Sequence, residues 1–125
     1  METKYLSVED LDAYRHSYEL SNCIWKLVIG WAFFQRETLG KQFVRAVDSI
    51  SANIAEGYGR YSMKDKIRFY HYSLGSVLEC KDWNNKCYAR SIITQEQYSR
   101  IKASLDILPK EINQLIQYTK TKLKH

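Results

Sequence analysis

Seven residues in the last third of the chain, Tyr98, Ile101, Leu105, Leu108, Ile112, Leu115 and Thr119, are spaced 3, 4, 3, 4, 3 and 4 apart. That is the a/d rhythm of a heptad seam, and it needs an α-helix that lies along other helices. The spacing predicts a helix over 95–122, capped by Thr94 with Gln97 at its third position. Pro109 falls inside it. The seam keeps its phase across the proline, so the expectation is a kink rather than a break.

The rest of the chain reads the same way. It has 125 residues but only one proline and five glycines, so few interruptions separate its elements. Ser62-Met63-Lys64-Asp65 resembles a capping box and opens a helix over about 63–90. Its expected inner face is Phe69, Ser73, Val77, Cys80, Trp83 or Asn84, and Cys87, with a small-residue patch at Ser73, Gly75 and Ser76. A helix over about 37–57 buries Leu39, Phe43, Ala46, Val47, Ile50 and Ile54 on one 3.6-residue face. Ser51, Ala52 and Ala55 give its other side small side chains. Phe33 to Thr38 is read as the connection before it.

The first helix is expected over 8–33, with Ser7 as cap and Asp10 three residues on. It carries two apolar stripes, one through Leu11, Tyr14, Tyr18, Ser21, Trp25, Val28 and Ala32, the other through Leu20, Ile24, Leu27 and Trp31. Together they exceed the ~100° stripe that burial against one core requires. Either this helix is central or its second face meets another subunit. Residues 1–6 and the basic tail 120–125 read as loose ends. The sum is one all-α domain, an antiparallel up-down-up-down four-helix bundle.

Beside the apolar face of the second helix runs a polar stripe: Gln42, Arg45, Ser49, Asn53, Glu56 and Arg60. If the second and third helices form a hairpin about residue 62, residues whose numbers add to about 124 lie level. Arg45 then meets Glu79, Glu56 meets Arg68, Asn53 meets His71 and Ser49 meets Gly75. The stripe is therefore read as a structural polar network of Arg45, Ser49, Asn53, Glu56 and Glu79 that locks two helices in register. A binding or catalytic groove is the other reading.

Several function classes find no support. No apolar run of eighteen residues is present, and Met1 to Tyr5 does not open like a signal peptide, so a cytoplasmic protein without a membrane span is expected. Cys80 and Cys87 lie roughly 10 Å apart along a helix axis, too far for a disulfide. With Cys23 they are read as small packing residues, and no metal or cofactor is expected. His16, His71 and His125 are scattered, and no Glu-x-x-His, phosphate loop, nucleophile elbow or HExxH occurs. The expectation is no enzyme and no catalytic residue. Charge is uneven: residues 62–125 carry twelve Lys and Arg against six Asp and Glu, while the first 35 are net acidic. A basic half permits salt-sensitive attraction to nucleic acid.

The stretch from Leu39 to Arg60 resembles a known family, the small four-helix-bundle proteins encoded in intervening sequences of bacterial 23S rRNA genes, related to accessory proteins of diversity-generating retroelements. The likeness is carried by Leu39, Gln42, Arg45-Ala46, Ser49-Ile50, Asn53-Ile54-Ala55-Glu56-Gly57 and Gly59-Arg60, and then by Gly75-Ser76 with Glu79. It covers roughly 14–118. Ser51 stands where the family pattern has proline, Ser73 where it has alanine, and Phe34-Gln35 where it often has Phe-Pro. The resemblance implies a ring-shaped homopentamer, with the wide face of the first helix and the small-residue patches as subunit contacts. It also implies RNA or DNA as a possible partner, and a protein partner such as a reverse transcriptase. The basic positions open to a nucleic-acid role are Arg60, Lys64, Lys66 and Arg68, with Tyr58 and Tyr61 placed to stack on bases. A protein-interaction scaffold with no nucleic-acid role remains the alternative.

Overall fold

The structure, a computed structural model, describes residues 7–122. A 3-10 turn, Val8–Asp10, precedes α1, Asp12–Val28. The backbone N–H of Ser7 donates to Asp10 Oδ2 at 3.1 Å, so the expected cap serves this turn. Leu11 is extended (φ −83°, ψ 125°) and separates the turn from α1, which therefore starts at 12 rather than 8.

α1 also ends early. The last turn closes through Gly30 N–H to Leu27 O and Trp31 N–H to Val28 O, and Ala32 is extended. Helix resumes at Phe33, four residues before the expected start. Phe33–Gln35, the π-helical turn Arg36–Gly40 and Lys41–Gly59 follow one another with helical backbone at both junctions; together they form α2. Residues 29–32, expected as helix, form the turn instead, and Phe33 and Phe34, 70% and 72% exposed, open the next helix where the connection was expected. The π turn brings buried Gly40 against Val28 and Trp31, where a methyl group would meet Val28 Cγ1 at 2.6 Å.

α3 spans Met63–Ala89 and α4 Gln95–Lys122. Both expected caps form. Asp65 N–H donates to Ser62 Oγ at 3.1 Å. Gln97 N–H donates to Thr94 Oγ1 at 3.1 Å, and Thr94 N–H to Gln97 Oε1 at 2.9 Å. α4 runs unbroken through Pro109. Between α3 and α4, Ser91 takes a left-handed conformation (φ 59°), with Ile92 N–H on Cys87 O at 2.9 Å. This is a helix stop that favours glycine. Ser91→Gly is expected to raise stability by up to about 1 kcal/mol, read as a higher urea midpoint with unchanged slope.

Four antiparallel helices enclose one core, with no strand among the described residues. α2 and α3 form the most extensive pair, and α1 packs on α2 and α4. All six expected α2 residues are buried, as are Ile101, Leu105, Leu108, Ile112, Leu115 and Thr119 of the seam. Tyr98 is half-buried and stacks on Tyr88 at 4.6 Å. In α3, Tyr70 takes the core position expected for Phe69, and Asn84 rather than Trp83 faces inward. α1 buries the small stripe Ala13, Ser17, Leu20, Ser21, Ile24 and Val28, with the Ser17 hydroxyl on Ala13 O at 2.7 Å. Tyr18 and Trp25 stand at the surface, 50% and 54% exposed. Cys80 and Cys87 pack in the core as expected, but Cys23 is exposed, since α1 turns that flank away from the bundle centre.

Candidate nucleic-acid interface

The α2–α3 hairpin sets the geometry of the candidate site. The Ser73 hydroxyl, fully buried, donates to Ile50 O at 2.8 Å. Lys66 Nζ donates to Tyr58 O at 2.7 Å. These pairs add to 123 and 124, the expected register.

The polar network expected to hold that register does not form. Ser49 Oγ donates to Arg45 O at 2.9 Å and Asn53 Nδ2 to Ser49 O at 2.8 Å, both one turn back on their own helix. Glu56 pairs with Arg60 at 2.7 Å and Arg68 with Asp65 at 3.1 Å, rather than with each other. Glu79 accepts from Trp83 Nε1 at 3.3 Å, and exposed Arg45 makes no ion pair among the described residues. Gly75 faces open space instead of Ser49. Neighbours three or four apart on one helix are always within reach. Partners level across a hairpin meet only if both point into the seam. The lock is the Ser73 hydroxyl and the Lys66 ammonium, each on a main-chain carbonyl.

Six residues were candidates for contact with nucleic acid, and the fold divides them. Lys66 is turned in: its ammonium sits on Tyr58 O, 5.4 Å from the Tyr58 ring centre, and burial lowers its pKa. Arg60 and Arg68 both lie against the Phe69 ring, at 4.6 and 5.0 Å, with their charges matched by Glu56 and Asp65. The Arg60 Nε is buried without an acceptor. Tyr58 is half-buried, and burial first, then Asp10 and Tyr118, raises its hydroxyl pKa. Lys64 and Tyr61 point outward, Tyr61 98% exposed.

The structure adds residues that sequence reasoning did not connect with this turn. α4 returns to the same end of the bundle. The Tyr70 phenol lies beside Thr119, whose hydroxyl donates to Leu115 O at 2.8 Å, and burial raises the Tyr70 pKa. Tyr118 lies close enough to Tyr58 to affect its ionisation. Lys120 and Lys122 are exposed there, Lys122 with its ammonium 5.8 Å from the Tyr118 ring centre. Residues 123–125 of the basic tail and the leader 1–6 lie outside the described residues. The near-equal lengths of α3 and α4 were the available signal, because antiparallel helices of 27 and 28 residues return the chain to its starting level.

Among the described residues no group of three His, Cys, Asp or Glu converges as a metal site would need. His16 does have an acidic partner that the sequence did not suggest: its Nδ1 lies 2.7 Å from Glu111 Oε2, tying α1 to α4.

The 23S rRNA-intervening sequence protein family matches residues 9–114 of the chain. The fold is similar to the solved structure of a protein of unknown function from the S23 ribosomal protein family of Bacteroides thetaiotaomicron. The two share 27% identity at a TM-score of 0.75, over 83% of this chain and 97% of that one. None of the curated proteins matches it.

Proposed function

The chain belongs to the 23S rRNA-intervening sequence protein family, and we propose that it is a non-enzymatic, oligomeric helical-bundle protein that binds RNA or DNA through a basic surface. One observation carries the reading: Lys64, Lys120 and Lys122, all exposed, share one end of the bundle with the exposed ring of Tyr61. Cations that spend no charge on neighbouring acids are the ones free to replace counterions on a phosphate backbone. The exposed Tyr61 ring offers a stacking face. Arg60 and Arg68 add positive charge at short range but are partly neutralised. We place the protein in the cytoplasm; no described helix is long and apolar enough to cross a membrane.

The assembly we propose is a ring-shaped homopentamer, in line with the family resemblance. Repeating the basic end around a ring would multiply weak contacts into avidity. A second reading, a scaffold that docks another protein such as a reverse transcriptase, is favoured by the exposed pair Phe33 and Phe34.

A gel-shift with mixed-sequence RNA and DNA probes separates the two. For contacts from Lys64, Lys120 and Lys122, log affinity should fall against log salt with a slope of about −2 to −3 per subunit engaged. Binding that is absent, or flat between low and physiological salt, removes the nucleic-acid reading.

A further inference from the structure

Between α3 and α4, near the Ser91 turn, lies a pocket of about 180 Å³ whose polar wall is Lys81, Asn84, Asn85, Tyr98, Lys102 and Asp106. Asn84 is 1% exposed. The fold orients its amide: Nδ2 donates to Tyr98 O at 3.2 Å, and Oδ1 is buried with no donor among the described residues. A buried carbonyl without a donor costs free energy that a hydrogen-bearing partner recovers.

The rest of the wall supplies donors. Lys81 Nζ lies 3.1 Å from Asp106 Oδ1, and Lys102 Nζ 2.9 Å from Asp106 Oδ2. Hydrogen bonds from Lys102 and then Lys81 hold the Asp106 carboxyl below its usual range, so the three groups together carry one net positive charge. Each ammonium has three N–H groups and keeps some for a further acceptor. The Tyr98 hydroxyl donates to Asn85 Oδ1 at 3.0 Å, and the Tyr98 ring stacks on Tyr88, which fixes both side chains and leaves Asn85 Nδ2 as a donor.

We infer that this pocket binds a small oxyanion that keeps a proton, inorganic phosphate or a terminal phosphomonoester. The P–OH donates to Asn84 Oδ1, and the unprotonated oxygens accept from Lys81, Lys102 and Asn85 Nδ2. Such bonds between charged groups are the stronger kind. Sulfate at neutral pH and the diester of a nucleic-acid backbone have no hydrogen to give Asn84. The site is thus separate in chemistry and position from the basic end of the bundle, and it stands whether or not the protein binds nucleic acid.

NMR titrations of the full chain at constant ionic strength test it, with phosphate, sulfate, dimethyl phosphate and a nucleoside monophosphate as probes. They are run near the second pKa of a phosphomonoester, about 6, where part of the ester keeps its proton. Phosphate should shift the side-chain amide signals of Asn84 and Asn85, and should bind about tenfold or more tightly than sulfate or the diester. A mononucleotide that matches phosphate identifies a chain end as ligand; one that fails identifies the free ion. Lys102→Gln, at an exposed position, should weaken phosphate and sulfate alike and keep their ratio. Asn84→Leu removes the buried carbonyl and should bring the ratio to one. The wild-type ratio decides even if Asn84→Leu does not fold. The inference is overturned if phosphate does not bind, if sulfate binds equally, if the shifts gather at Lys64, Lys120 and Lys122, or if folded Asn84→Leu keeps the preference.

Discussion

Gly57→Ala should lower the stability of the bundle by about 1–3 kcal/mol, although alanine is the better helix former by about 0.5–1 kcal/mol. Gly57 is buried in the last turns of α2, where α3 crosses closely. A Cβ there would lie 2.7 Å from Tyr70 Cε1, 2.9 Å from Lys66 O and 3.0 Å from Tyr70 Cδ1. Neither neighbour can yield alone. Tyr70 is 1% exposed and packed in the core, and Lys66 O belongs to the α3 backbone. The hairpin must open, and opening strains the Lys66–Tyr58 and Ser73–Ile50 bonds that hold its register. Valine at 57 should cost more than alanine. Gly75→Ala is the control: the same change in mid-α3, where a methyl group meets nothing, should gain about 0.5–1 kcal/mol. Urea midpoints at constant slope read both. Equal midpoints for Gly57→Ala and Gly75→Ala would show that the close approach does not limit the packing.

Gly57 also marks how far the sequence could be read. The caps at Ser62 and Thr94 were legible because a capping box lies within four consecutive residues. The α4 seam was legible because its period continues through Pro109. The hairpin register came out right, but through ion pairs that do not exist. Glu56 had two arginines within reach, and the nearer, Arg60, lies one turn along its own helix. The α1–α2 connection was expected at Phe33–Thr38 and lies instead at 29–32, because residues 29–34 are mostly apolar and hydropathy cannot distinguish a side chain in the core from one left at the surface. The same ambiguity hid which flank of α1 was open. The lysines of the last α4 turn became part of the candidate site only once the topology carried them back to Tyr58 and Tyr70. No local pattern in 118–122 encodes that return.

That topology revises which charges should matter. The triple variant Lys64→Glu, Lys120→Glu and Lys122→Glu is expected to weaken nucleic-acid binding on the order of 100-fold or more at ~0.1 M salt, and to flatten the salt slope by about 2–3. It should leave stability within about 0.5 kcal/mol, since all three side chains are exposed and none is in an ion pair among the described residues. The inner triple, Arg60→Glu, Lys66→Glu and Arg68→Glu, should behave in the opposite sense. Lys66→Glu removes the ammonium from Tyr58 O and sets a carboxylate against that carbonyl, so the hairpin turn loses stability. The two arginines already share their charge with Glu56 and Asp65, so their reversal should change the salt slope less. Lys→Arg at 64, 120 and 122 keeps the charge and should keep the affinity. Tyr61→Ala isolates stacking: it should cost about 1–3 kcal/mol of single-strand binding and leave the salt slope unchanged, because a neutral ring displaces no counterion. A folded outer triple variant that binds with wild-type affinity and slope would move the interface away from this end of the bundle.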